Sequence, residues 1–231
     1  MIVFIYSLKR LLRRSGNIIL LIVLPALLLL MPDAGEAQWM QLPVAMQLFG
    51  LGLWFIAARL SVLVLEDRGN RVLLRVAVAP IYYRTYLCQV LLSFLILLTV
   101  VNLVVIGGTS LRYGVDLGPS AALFALHTLF AVAATTFLLA WYSLVRDRET
   151  ASIVAVVLII LLTMLGGMMW PIQIMPTWLQ YLARILPTYW MAEGLLAIGH
   201  GAPWTQLLLP MGMLLAMSLL FLLAGSSKRI A

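Results

Sequence analysis

The chain has 231 residues, of which 64% are hydrophobic and 10% charged, with a formal net charge of +7. A soluble domain carries about 25% charged residues, so this composition excludes an ordinary soluble fold and predicts one polytopic, all-α membrane domain. The positive excess does not indicate nucleic acid, because the basic residues flank apolar runs instead of forming a surface stripe; it reads as topology signals and contacts to anionic lipid headgroups.

Residues 1–14 are apolar at first and then basic, with Lys9, Arg10, Arg13 and Arg14. That pattern predicts a helix lying in the membrane interface. A spanning helix needs about 20 apolar residues. Runs of suitable character follow at 17–32, 42–64, 86–108, 120–144, 151–170 and 204–225, predicting six transmembrane helices. Pro25 should bend the first without breaking it. The basic start, the apolar run and Gly35-Glu36-Ala37 also have the outline of a signal peptide; the preferred expectation is a retained segment. The single cysteine, Cys88, excludes an internal disulfide and reads as a small apolar residue at a helix start.

Charge is distributed unevenly between the ends of the runs. One side collects Lys9, Arg10, Arg13, Arg14, Arg68, Arg71, Arg75, Arg84, Arg146, Arg148, Lys228 and Arg229. The other holds Arg112 and Arg184 with Asp33, Glu36, Asp116 and Glu193. The positive-inside rule then places both termini in the cytoplasm, as an even number of spans requires.

Arg59 falls inside the second run, where a charge is costly. Two readings fit it: snorkelling to the cytoplasmic interface, or a pair with Glu66 two turns further on the same face. Next comes the longest cytoplasmic loop, Glu66–Tyr86. Residues 70–79 can form a short helix with Val72, Leu73, Val76 and Ala79 on one face, stopped by Pro80. Arg71 and Arg75 stand at i, i+4 on another face, and Arg75 could pair with Glu66 or Asp67. An apolar ridge flanked by charge suits docking in a partner's groove; a helix resting on lipid headgroups is the alternative.

The last unusual stretch, Gly166–Leu196, carries three prolines, three tryptophans and one acid. Proline frees backbone groups that hydrocarbon cannot satisfy, so this stretch should dip into the interface, break and return. Gly166 and Gly167 allow a close approach or unwinding. Trp170-Pro171 follows them. Pro176 can start a short helix through Arg184, with Pro187 ending it. Trp178, Tyr181, Tyr189 and Trp190 fit an aromatic belt. Glu193 is expected to cap backbone donors or hold Arg184.

Several chemistries lack their residues. There is no GxxxxGK[ST] phosphate-binding loop, no His/Cys cluster with metal spacing and no nucleophile–base–acid set. No catalytic or metal-ligating residue is therefore expected. His127 lies inside the fourth run, where an ionisable group is a functional candidate; a neutral histidine bonded between helices is the plainer expectation. No line of acids crosses the membrane, so ion-coupled transport lacks its titratable groups. Energy for any transport should come from another chain.

Two motifs carry a family resemblance. Glu66-Asp67…Leu74-Arg75…Ala79-Pro80 resembles the cytoplasmic coupling segment of ABC-2 type permeases, although Arg71 stands where that family commonly has glycine. Gly166-Gly167…Trp170-Pro171…Met175-Pro176…Trp178-Leu179…Leu186-Pro187…Trp190 resembles the same family's re-entrant stretch. The resemblance covers essentially the whole chain and implies a single transmembrane domain over 1–231. Within it lie an interfacial helix at 1–14, a coupling loop at 66–85 and an outer re-entrant segment at 166–202.

The resemblance further implies a permease subunit of an ATP-driven exporter in the cytoplasmic (inner) membrane, itself not an enzyme. It would be paired with a second permease and with cytoplasmic ABC ATPase subunits that hold the ATP and Mg. Coupling would fall to Glu66, Asp67, Arg71, Leu73, Arg75 and Pro80. The outer gate would comprise Gly166, Gly167, Trp170, Pro171, Pro176, Trp178, Pro187, Trp190 and Glu193. Short external loops at 33–41 and 109–119, with few charges in the spans, favour an apolar or amphipathic cargo such as a drug, an antimicrobial peptide or a lipid. Export of polysaccharide or haem, and an ion-coupled secondary transporter, are the alternatives.

Overall fold

The computed structural model describes residues 2–32, 39–69, 83–145 and 147–226. The described residues form nine α-helices and no strand. These are α1 (Ile2–Arg13), α2 (Ser15–Leu30), α3 (Val44–Gly69), α4 (Tyr83–Tyr113), α5 (Leu117–Leu144), α6 (Arg148–Leu165), α7 (Thr177–Ala183), α8 (Pro187–Gly199) and α9 (Trp204–Ser226). A 3₁₀ turn, Ile172–Ile174, precedes α7.

Helices α3, α4, α5, α6 and α9 are each long and apolar enough to cross a membrane. Counting the bent pair α1–α2 as one gives six, with the two halves meeting at 73°. Alone, α2 has 16 residues, a rise of about 24 Å against a hydrocarbon core of about 30 Å. Pro25 lies inside α2 and the helix continues through it.

Two boundaries differ from the sequence expectation. The third span runs on to Tyr113, so the link to α5 is only three residues long. Its polar end stays helical because Thr109 Oγ1 donates back to Val105 O at 2.7 Å, and Ser110 and Ser120 join hydroxyls at 2.8 Å. This end also closes α2: Arg112 Nη1 donates to Leu29 O, and Tyr113 Oη donates to Met31 O at 2.7 Å. Those are carbonyls that the end of α2 leaves without helical partners. The fifth span, conversely, stops at Leu165, because the chain turns out of the helix at Gly166-Gly167.

Helix α5 is the centre of the bundle, packed by α3, α4, α6, α8 and α9. Lipid gives apolar helices no hydrophobic reason to associate, so contact depends on close packing of small side chains. Ala131, Ala133, Ala134 and Ala140 supply it from α5, all buried. Gly225 of α9 lies so close that a Cβ there would sit 3.2 Å from Ala140 Cα. Trp54 of α3 meets Phe130 and Phe137 edge-on, at centroid distances of 5.7 and 5.3 Å.

Polar side chains inside the bundle join helices. His127 is fully buried. Its Nδ1 pairs with Leu123 O at 2.8 Å, its Nε2 with Met46 O at 3.2 Å, and its ring stacks on Phe49. The ring thus lies between a carbonyl of α5 and one of α3, and a neutral imidazole, with one N–H, donates to one of the two at a time. Asn102 Nδ2 does the same between α4 and α5, donating to Phe124 O and Thr128 Oγ1 at 3.0 and 2.9 Å.

Candidate functional sites at the two ends of the bundle

At the basic end, α3 finishes on Glu66 and Asp67, both buried at 6% and 4% exposure. A carboxylate removed from water requires ionised partners. Arg10 and Arg14, one turn apart across the α1–α2 corner, supply two. Arg10 Nη2 donates to Glu66 Oε2 at 3.2 Å and its Nη1 to Asp67 Oδ1. Arg14 grips Glu66 with both ends of its fork, Nη1 to Oε1 at 2.8 Å and Nη2 to Oε2.

The start of α6 adds Arg148, whose Nη2 donates to Glu66 Oε1 at 2.7 Å. The start of α4 adds Tyr86, whose hydroxyl donates to Asp67 Oδ2 at 2.6 Å. The two acids therefore hold the ends of α1, α2, α4 and α6 against α3, and three arginines outweigh them by one positive charge. A further bond, Phe4 N to Gln89 Oε1 at 3.2 Å, seats the start of α1 on α4. Beside the junction, exposed Asp147 caps α6 by accepting from Thr150 N at 2.7 Å. That bond holds the Asp147 carboxyl below its ordinary value.

The junction corrects one expectation. Arg59 does not pair with Glu66, whose oxygens are taken by Arg10, Arg14 and Arg148. Arg59 is exposed and lies over α2 instead, with Nη2 3.0 Å from where a Gly16 Cβ would stand. Of the coupling residues, only Glu66 and Asp67 belong to the described chain; Arg71, Leu73, Arg75 and Pro80 lie outside the described residues, as does the 70–79 helix. Arg10, Arg14, Arg148 and Tyr86 were not singled out from the sequence as partners. The available signal was two adjacent acids in an otherwise basic set of loops.

At the opposite end, Gly166 caps α6 where the chain must pass α8 almost in backbone contact. A Cβ at Gly166 would overlap the Thr188 side chain and fall 2.8 Å from the Thr188 carbonyl carbon. Thr188 Oγ1 fastens the contact by donating to Leu162 O at 2.6 Å. Gly167 takes φ +79, a conformation that glycine adopts freely. Trp170-Pro171 then leads into the 3₁₀ turn, and Pro176 stands at the N-cap of α7. Helix α7 ends at Ala183, before Pro187; that proline opens α8 at its first turn, where its missing N–H costs nothing.

These pieces share a small core of Ile172, Met175 and Ala183, flanked by Trp170, Leu179 and Tyr189. Trp178 and Tyr181 are exposed at 63% and 62%. Trp190 Nε1 donates to Arg184 O at 2.9 Å, and the Arg184 guanidinium lies 5.2 Å from the Tyr181 ring centre. Arg184 and Glu193 form no direct ion pair. Both act on the Tyr189 hydroxyl, which is raised above its ordinary value first by burial and then by the charge of Glu193. The expected gate residues are thus gathered in one kinked segment between α6 and α9, with Gly166 and Pro187 on the α6–α8 contact and Trp178 on its open face.

An all-α bundle with five or six membrane-crossing helices, a bent basic entry helix and a broken segment before the last span is a multi-pass membrane protein. The family model described as ABC-2 family transporter protein matches residues 40–226. The chain belongs to the ABC-2 transporter family. It is similar to the linearmycin resistance permease protein LnrN of Bacillus subtilis (strain 168), with 30% identity over 163 residues. That match covers 70% of this chain and 42% of LnrN, so the chain spans less than half the length of that relative.

Proposed function

We propose that this chain is the permease subunit of an ABC exporter. It would form the pathway for an apolar or amphipathic substrate of the drug, antimicrobial-peptide or lipid kind, and draw its energy from a separate ATPase. Family membership supports the permease role, and the linearmycin resistance in the relative's name supports a toxic small-molecule cargo. The observation that carries the coupling half of the reading is the Glu66–Asp67 junction. It lies just before residues 70–82 in the chain and joins that point to α1, α2, α4 and α6. A force applied at the end of α3 would reach all of them through one cluster of charge-assisted bonds, among the strongest of polar contacts.

On this reading the basic end faces the cytoplasm of an inner-membrane protein. Two permeases, alike or different, meet two ATPase subunits that bind ATP and Mg. The kinked segment 166–202 shapes the outward opening. Gentle extraction of the chain from its native membrane tests the proposal: a stoichiometric ABC ATPase should co-purify, and the reconstituted pair should hydrolyse ATP faster with substrate than without. Purification of the chain alone under lipid-preserving conditions, with transport driven by an ion gradient, would refute it.

A further inference from the structure

The face of the bundle formed by α1, α2 and α4 carries a cavity of about 270 Å³. Its walls include Leu12 from α1, Ile18, Ile22 and Pro25 from α2, and Leu97 and Val104 from α4. The lining is entirely apolar and its rim is open: Ile22 is 62% exposed and Val104 48%. From Ile18 to Pro25 the groove runs about 10 Å along the helix axis, a third of the hydrocarbon core.

Its upper end is not apolar. Leu12 belongs to the interfacial helix, and Lys9 lies one turn back on the same edge with Arg13 next to it. Both cations are exposed. Their neighbours Arg10 and Arg14 are consumed by Glu66 and Asp67, whereas neither Lys9 nor Arg13 forms an ion pair among the described residues. The alternation thus divides four cations of one short stretch into two that hold the bundle and two left over at the mouth of the groove. Headgroup-level cations above a slot open to the membrane complement one chemistry: an anion carried on a hydrocarbon chain.

We infer that this groove is a binding site for one anionic phospholipid, with an acyl chain seated against α2 and α4 and the phosphate held by Lys9 and Arg13. The inference rests on the membrane-embedded fold and not on the transport reading.

The test uses the full chain in nanodiscs of equal parts phosphatidylglycerol and phosphatidylethanolamine, followed by native mass spectrometry of the lipids retained. No ATPase is present, so failure here leaves the exporter reading untouched. Wild type should retain phosphatidylglycerol with a preference of at least about fivefold, the value of one interfacial cation after screening. The double variant Lys9→Gln/Arg13→Gln should lose the preference while binding as many lipids in total. Val104→Trp, which fills the groove, should bind one lipid fewer.

A preference unchanged in the double variant overturns the headgroup assignment. Loss of a dimer mass in Val104→Trp with lipid retention intact would assign the groove to a second copy of the chain and overturn the proposal. A readout on the unmutated chain guards against misfolding: phosphatidylglycerol bearing a mid-chain diazirine should label residues 97–104 selectively. Labelling spread evenly over the lipid-facing helices would overturn it as well.

Discussion

Glu66→Gln is the sharpest perturbation of the basic-end junction, because it keeps shape and removes charge. Glu66 accepts from Arg14 Nη1 and Arg148 at one oxygen and from Arg10 and Arg14 Nη2 at the other. A glutamine has a single acceptor oxygen, and its amide would point two protons at a guanidinium. If the oxygen keeps the Arg14–Arg148 side, two charge-assisted bonds to α1 and its corner are lost. Such bonds contribute about 1.5–3 kcal/mol each. The arginines are only partly covered, at 36% and 34% exposure for Arg10 and Arg14, so solvent screening cuts that by roughly half, to about 2 kcal/mol in all. Undocking of α1 should then become about 30-fold more frequent.

Hydrogen–deuterium exchange over residues 2–13 reads this directly, with tryptic cleavage after Arg10 as a second probe. Arg59→Gln is the control, since Arg59 touches none of these acids. Protection of α1 that is unchanged in Glu66→Gln, or lost equally in Arg59→Gln, would refute the junction as the element that seats α1.

Other expectations follow from the same structure. Gly166→Ala places a Cβ against Thr188 backbone and should lower stability by more than the 1–3 kcal/mol typical of overpacking, seen as a drop in Tm, because a carbonyl carbon cannot rotate away. His127→Ala removes the α3–α5 contact and its stacking on Phe49; it should cost about 3 kcal/mol in thermal stability and, under the proposed exporter function, leave export measurable, whereas abolished export in a folded variant would assign His127 a direct role. Asp147 is held below its ordinary value when folded, so its capping bond is present above the unfolded carboxyl value of about 4 and is lost as pH falls through the lower folded one. Amide exchange in the first turn of α6 should therefore quicken only in that acid window, and Asp147→Asn should abolish the pH dependence.

The spans were legible because lipid imposes a crude rule of length and apolarity, and five of the six runs became single long helices. Their ends were less legible. The third span outran its apolar core because Thr109 bonds back along the helix and Ser110 bonds across to Ser120 of α5, contacts that hydropathy ignores. The fifth fell short because Gly167 needs positive φ, although Met168, Met169 and Trp170 are as apolar as a span requires. In the kinked segment, proline positions foretold the breaks, but Pro187 acts at the start of α8 and not at the end of α7; sequence does not say which side of a proline the helix occupies. Least legible were the partners of Glu66. Spacing along one helix offered Arg59, and the actual donors arrive from 52, 56 and 82 positions away, a distance that only packing can bridge.

Helix α6 is held by polar or close backbone contacts at its two tips, and between them it packs through one narrow stripe, Ala151, Ala155, Ile159 and Thr163. Arg148 ties its foot to Glu66, the Gly166–Thr188 contact welds its head to α8, and most of its flank faces outward. Over 18 residues it forms a stiff rod of about 27 Å. Such a rod would act as a pushrod: a small tilt at the foot displaces the head, and the kinked segment behind it, with one stripe of mostly small side chains left to slide against the bundle.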